Sequence, residues 1–326
     1  MMPATRLLRR LLLCCLFLSS TVARAQNQEV LGEYRIGIIG RDGSDAVYHA
    51  FHKGASDAAR DLAVNDSIDI ELFDRTPQSP DPEAQIEAVS QLFVEEADGI
   101  VISPVDPAAL QPVLTFVSGQ GVEVVLFEAT VEDFNPLASF PADETEAGRL
   151  AGLAALKEMP RSGRAAILID RNADANMRAR LDGIRSSLGY RRIYGIVECE
   201  PDYNSAIEAI QQATEADVND LIGGWIFLDD WPLLGLPALP WKPGKGDCVA
   251  IQSSPSTLMY LEREYIDALI VHPYYEWGYE SVKTLIDKLH KGTDPEEAVI
   301  LLPPQTIDWR NIDTYRANWT AWMKED

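Results

Sequence analysis

Nine side chains suited to holding a small polar molecule fall at or near the ends of strand-like runs. They are Asp45 and Tyr48 after the first run, Glu128 after the fourth, Arg178 opening a helix, Tyr203, Asp229 with Trp231, Gln252 and His272. The chemistry they offer is recognition. Carboxylates and amides accept hydrogen bonds, an arginine donates two in a fixed fork, and aromatic rings pack on C–H faces. Open α/β sheets bind ligands at the carboxyl ends of their strands, so the recurrence of such residues in two series of strands predicts one shared site.

Local signatures of catalysis or cofactor binding do not accompany them. Gly37, Gly40 and Gly43 follow a first strand and precede a helix, but Gly37 and Gly40 lie inside the strand pattern and the G-x-G-x-x-G spacing is missing. No G-x-x-x-x-G-K-[ST] run and no G-x-S-x-G elbow occurs. His49 and His52 share a helical face at i, i+3 without an H-E-x-x-H frame. The expectation is therefore no enzyme, no cofactor and no metal.

The elements that must position these residues are legible in the apolar pattern. Runs rich in Ile and Val occur at 34–40, 68–74, 99–103 and 123–127. Near-continuous apolar runs of that length are strands buried on both faces, as in a parallel sheet. Between them, Ile86, Val89, Leu92 and Phe93 form one helical stripe, with Pro82 near its start, and Leu110, Val113, Leu114 and Val117 form another. The rhythm restarts with strands at 164–170, 192–198, 224–228 and 248–252, separated by helices near 178–188, 203–216 and 255–265. A strand at 267–271, a helix from Tyr274 to about His290 and a last strand at 298–302 follow, and these late elements are placed to cross back between units. Two β-α-β series of similar length imply two doubly wound α/β domains with parallel sheets. Residues 231–246, with Pro232, Pro237, Pro240 and Pro243, read as a long loop lying against the second domain.

Residues 1–25 carry Arg6, Arg9 and Arg10, a short apolar run from Leu11 to Leu18 and an Ala23-Arg24-Ala25 end, which is the pattern of a signal peptide. Its removal would take four arginines and no acids, leaving 24 basic against 51 acidic side chains, a formal charge of −27. Such a chain repels polyanions, so nucleic acid and anionic lipid are poor partners. Cys199 and Cys248 would remain, near opposite ends of non-adjacent strands, and are expected as free buried thiols. The rings of Trp309, Trp319 and Trp322 are expected to cover a lobe surface or the hinge.

Three stretches carry a family resemblance: Ala97 to Pro112, the run Arg178-Ala179-Arg180-Leu181-Asp182-Gly183, and Val271-His272-Pro273-Tyr274 leading to Gly278. With them the chain resembles, from about Glu33 to Pro303, the type I sugar-binding periplasmic proteins, the ribose-binding-like substrate-binding proteins of ABC importers. The resemblance implies a type I periplasmic-binding-protein fold: two doubly wound parallel-sheet lobes, joined by a three-segment hinge, with ligand in the cleft. It implies an N-terminal lobe of 26–142 plus 273–300 and a C-terminal lobe and tail of 143–272 plus 301–326. Carried over position by position, the aromatic pair behind the first strand becomes Val47 and Tyr48, with Asp45 ahead of it. The acid and arginine closing the fourth strand become Glu128 and Ala129, which loses the usual bidentate donor. The arginine heading the second-lobe helix is Arg178. Tyr203, Asp229, Gln252 and His272 fall at the remaining positions of the pattern.

The function so implied is that of an exported solute-binding protein, periplasmic or secreted, acting as a monomer. It captures a sugar or sugar-like polyhydroxy ligand and delivers it to the membrane permease of an ABC importer. The alternative is a ligand sensor docking on a chemoreceptor or histidine kinase. With Glu128, Asp229 and Asp45 against Arg178, a neutral or amine-bearing sugar suits the set better than a sugar acid.

Overall fold

The computed structural model describes residues 30–235, 239–252 and 254–324. The signal peptide expected over residues 1–25 lies outside them. The first sheet contains β1 (Glu33–Ile39), β2 (Asp69–Asp74), β3 (Gly99–Ile102), β4 (Glu123–Glu128) and β5 (Ala138–Pro141), in the order β2-β1-β3-β4-β5 and parallel throughout. Its helices are α1 (Val47–Asp66), α2 (Pro82–Val94) and α3 (Pro107–Gly119). Alternate strand residues serve opposite faces, as the two-residue repeat of a strand requires. Ile36, Ile38, Val101, Val125 and Phe127 share a core with α1 residues such as Phe51 and Ala55, while Ile39, Ile100, Ile102, Val124 and Leu126 pack with Leu92, Leu110 and Leu114 of α2 and α3. Asp106 caps α3 by accepting from the Ala108 and Ala109 N–H groups at 3.0 and 3.1 Å, so this part of the 97–112 motif serves helix initiation.

The second sheet repeats the plan. It holds β6 (Arg164–Asp170), β7 (Ile193–Cys199), β8 (Ile222–Phe227), β9 (Cys248–Ile251), β10 (Ala268–Val271) and β11 (Gln305–Ile307), ordered β11-β10-β9-β8-β6-β7. Only β11 runs antiparallel to its neighbour. One face is covered by α4 (Glu144–Glu158) and α5 (Ala175–Leu188), through Ala147, Ala151, Ile184 and Leu188. The other carries α6 (Tyr203–Ala216), α7 (Pro255–Glu262) and the buried side chains of Trp231, Leu233 and Leu239. Cys199 and Cys248 are unpaired and buried, at the end of β7 and the start of β9 with two strands between them.

The chain passes between the sheets three times: at 142–143 between β5 and α4, at 272–273 between β10 and α8 (Tyr274–Lys291), and at 301–304 before β11. Helix α8 returns to the first sheet and lies against α1. The two helices touch backbone to backbone: a methyl on Gly54 would stand 2.0 Å from the Tyr275 carbonyl oxygen, and one on Gly278 2.0 Å from that of Phe51. Where a strand was expected at 298–302, the structure has a single bridge between Ser139 and Val299. Pro303 and Pro304 follow at once, and proline cannot extend a ladder. The last helix, α9 (Ile312–Trp322), touches both α7 of the second lobe and α1 of the first. Trp319 is buried and Trp322 stacks on Tyr275 with centroids 5.6 Å apart, whereas Trp309 is exposed. The tail rings thus divide: two cover the region behind the hinge, and Trp309 covers nothing.

Candidate functional site

The carboxyl ends of the two sheets face one cavity of about 270 Å³, bordered by Arg41, Asp45, Tyr48 and Glu128 from the first lobe and by Asn176, Arg180 and Asp229 from the second. Glu144, His272 and Tyr274 beside the crossings, Gln252 after β9, and Asp42 and Asp174 also line it. The volume lies near the lower end of small-molecule sites. Among the described residues, no group of three His, Cys, Asp or Glu side chains stands together in a way that could hold a metal ion.

On the first-lobe wall, a buried glutamine fixes the loops. Gln85 donates to the carbonyls of Gly40 and Ser103, both at 2.8 Å, and accepts from the Val105 N–H at 2.8 Å. It joins the loops after β1 and β3, where the strand order reverses and ligands sit in open sheets. The Thr76 hydroxyl accepts from the Gly40 N–H at 2.8 Å, which sets the start of the segment bearing Arg41 and Asp45. Asp45 accepts from the Val47 N–H at 3.1 Å at the head of α1.

Glu128 ends β4 with a φ of 60°, and Gln252, at the equivalent end of β9, has a φ of 77°. A side chain held in the left-handed region costs about 1–3 kcal/mol and marks positions where backbone comfort yields to side-chain placement. Glu128 gathers three hydroxyls: Tyr48 at 2.7 Å, Ser103 at 2.6 Å and Tyr274 at 2.6 Å. Gln252 donates to the same Tyr274 oxygen at 3.3 Å. The rings of Tyr48 and Tyr274 meet edge to face with centroids 5.8 Å apart, and burial together with the Glu128 charge pushes both phenols well above their ordinary range. Arg41 lines the same wall; burial would lower its pKa, but the nearby Glu128 charge raises it.

The second-lobe wall is built on an ion pair. Arg180 donates from Nε and Nη2 to Glu144 at 2.6 and 2.9 Å, and from Nη1 to the Leu228 carbonyl at 2.6 Å. Its Nη1 also stands 3.6 Å from Asp229. His272 Nε2 is 3.2 Å from the same Glu144 carboxylate, and its ring stacks on Trp277. Helices α4 and α5 approach closely enough for this because of Gly148, where a methyl would fall 1.9 Å from the Arg180 carbonyl oxygen. Burial alone would raise the Glu144 pKa, but the charge and hydrogen bonds of Arg180, with that of His272, hold it well below the usual carboxylate range.

The remaining carboxyls behave oppositely. Burial, partly offset by the Val47 N–H, pushes Asp45 up to about 6, with the charges of Glu128 and Asp229 adding to the effect. Asp229 and its neighbour Asp230 are also raised, chiefly by burial; the Asp229 and Asp45 charges add to the Asp230 shift, and Arg180 opposes that of Asp229. Acids of both lobes therefore sit where burial, above all, disfavours their charged forms.

Of the nine residues expected from sequence, Asp45, Tyr48, Glu128, Asp229, Gln252 and His272 border the cavity. Arg178, Tyr203 and Trp231 do not. Arg178 is exposed on α5 because the buried stripe of that helix runs through Arg180, Ile184 and Leu188, which puts Arg178 off the stripe. Tyr203 opens α6 and lies over Gly235, where a methyl would meet its ring at 2.3 Å. Trp231 is buried with Leu233 in the core beneath the long loop. Residues not anticipated include Arg41, Glu144, Asn176, Arg180 and Tyr274. Arg41 immediately follows the strand-ending Gly40, so the strand-end rule that selected Asp45 applied to it as well.

A family model described as periplasmic binding protein domain matches residues 36–293. The chain belongs to that family. Its members bind solutes and are not enzymes, as the sequence led us to expect for this chain. Solved structures of similar fold include the periplasmic ribose ABC transporter protein of Conexibacter woesei, with a TM-score of 0.75 at 20% identity over 88% of this chain and 95% of that one. The arabinose-binding protein AraP of Geobacillus stearothermophilus gives 0.74 at 17% identity, over 87% and 99%. A solute-binding protein of Burkholderia graminis in complex with D-arabinose gives 0.71 at 18%, over 86% and 97%. No curated protein sequence matches the chain. The similarity in structure bears out the expected α/β fold of two mainly parallel sheets.

Proposed function

We propose that the protein captures a sugar or sugar-like polyhydroxy solute between its lobes, outside the cytoplasm and as a monomer, and delivers it to the permease of an ABC importer. The observation that carries this reading is the interlobe cavity itself, bordered at the carboxyl ends of both sheets by carboxylates, amides, arginines and two tyrosines. Hydroxyl-rich ligands need many acceptors and donors at once, and a cavity of about 270 Å³ suits one small ring. The D-arabinose bound by the Burkholderia graminis protein, which shares the fold, supports the same ligand class. Closure of the lobes on the ligand is a population shift toward the state it fits best.

The test is a thermal-shift screen against monosaccharides, polyols, amino sugars and nucleosides, followed by calorimetry. A ligand at about 100 times its Kd stabilises its target by about 2.7 kcal/mol. A sugar-class hit weakened about tenfold or more by Glu128→Gln is expected, because one charged acceptor then gives way to a neutral amide. Silence across every sugar and polyol, or a hit indifferent to Glu128→Gln, would refute the assignment.

A further inference from the structure

The charges of the cleft do not balance: Asp42, Asp45, Glu128, Glu144, Asp174 and Asp229 line it against Arg41 and Arg180. Glu144 is neutralised by the bidentate Arg180, which is itself consumed by that contact and by the Leu228 carbonyl. Glu128 accepts three hydroxyls and has Arg41 nearby. Asp45 and Asp229 have no such partner. The only hydrogen bonds to their carboxylates among the described residues come from backbone, the Val47 N–H at 3.1 Å and the Asp230 N–H at 2.8 Å. The nearest cation to Asp229 is the already committed Arg180, at 3.6 Å. Asp230 stands directly behind, adding a third carboxyl close enough to feel Asp45 across the lobes.

These acids border the interlobe cavity already described. The two border acids come from different lobes, one on the loop before α1 and one after β8. A neutral solute leaves their mutual repulsion in place, and like charges set opposite each other oppose closure. A cation placed between them converts that repulsion into attraction on both sides. An anionic group would meet the carboxyls of Asp45 and Asp229 directly. Glu128, Gln252 and Arg41 line the same cavity, so the ligand meets groups suited to hydroxyls as well as the two acids.

We propose that the solute held in this cleft carries a protonated amine, bound between Asp45 of the first lobe and Asp229 of the second. The chemical class is an amine-bearing polyhydroxy compound such as an amino sugar. The inference rests on the polyhydroxy reading above and narrows it.

The test is calorimetry of the full-length protein with matched pairs: glucosamine against glucose, galactosamine against galactose and mannosamine against mannose, each also against its N-acetyl form. These differ by one charge on an unchanged ring. The amine member of at least one pair is expected to bind about tenfold or more tightly than both neutral counterparts, the size of one desolvated charge-assisted contact. The preference should shrink as salt is raised from low to physiological concentration. In Asp45→Asn and in Asp229→Asn the ratio of amine to neutral affinity is expected to fall toward one. Neutral sugars binding as well as or better than their amines, or a ratio untouched in both variants, would overturn the amine assignment while leaving the sugar reading in place. Binding of simple amines such as putrescine, with no affinity for any sugar or polyol, would instead overturn the polyhydroxy reading on which this one rests.

Discussion

Replacing Arg180 with methionine keeps most of the side-chain bulk and removes the charge that Glu144 was buried to meet. Both partners are deeply enclosed, at 9% and 7% side-chain exposure, so solvent does little to soften the loss. Removing one member of a buried pair costs about 3–5 kcal/mol. The variant has one escape, which is to protonate Glu144. With an unfolded pKa of about 4.3 and about 1.36 kcal/mol per unit, that escape costs about 3.7 kcal/mol at pH 7 but only about 1 kcal/mol at pH 5. In the native protein the Glu144 pKa is depressed, so its contribution is present above the unfolded value and is lost as pH falls through the folded one. In the variant the carboxyl is raised, so the sign reverses and the penalty grows with pH. Urea unfolding of both proteins at pH 5, 6 and 7, followed by circular dichroism, should therefore show a stability gap of about 3–5 kcal/mol at neutral pH that narrows on acidification. A gap below about 1 kcal/mol at pH 7, or one that does not change with pH, would refute the reasoning.

Arg178→Ala, at an exposed position off the cavity, is expected to leave ligand affinity within about twofold by calorimetry; a tenfold loss would return Arg178 to the site. Because the folded-state pKa of Asp45 is raised to about 6, its contribution to stability is complete below the ordinary carboxylate value and is lost as pH rises through about 6. The ligand-free protein and Asp45→Asn should accordingly differ in the slope of stability between about pH 4 and 6, and parallel curves would count against the assigned environment. Trp319→Ala should cost about 3–5 kcal/mol in urea unfolding, while Trp309→Ala should change it by less than about 0.5 kcal/mol, since only the first ring is buried.

The sequence showed the sheets more readily than the contacts that complete them. Strands buried on both faces, such as Ile100 to Ile102 and Val249 to Ile251, announce themselves by unbroken apolar residues rich in Ile and Val. Strand β5, with the sequence Ala-Ser-Phe-Pro, is too short and too mixed to register. Helix α4 was missed with it, because its buried face is made of Ala147, Gly148, Ala151, Gly152 and Ala155 rather than large apolar residues. Glu144 opens that helix, so it was lost as a candidate along with the element. Arg180 had a signal: it precedes Ile184 and Leu188 at intervals of four on the buried stripe, whereas Arg178 was chosen by analogy of position. Tyr274 was already part of the recognised Val271–Tyr274 stretch, but only the structure shows its hydroxyl on Glu128.

The return of the chain to its first lobe has a consequence for the order in which the molecule can be made. One face of the first sheet, with Ile36, Ile38, Val101, Val125 and Phe127, shares its core with α8, and Ser139 awaits its bridge to Val299. Residues 33–141 leave the ribosome early, yet α1 covers only part of that face and the rest stays open until Tyr274–Lys291 has been made. The second lobe draws all but β11 and α9 from the unbroken stretch 144–271 and can begin to collapse sooner. Contacts so distant in sequence are slow to form and leave apolar surface open while they wait. The half synthesised first is completed only after most of the second has been made, and a chain cut short within α8 would expose part of an apolar sheet face rather than retain a working lobe.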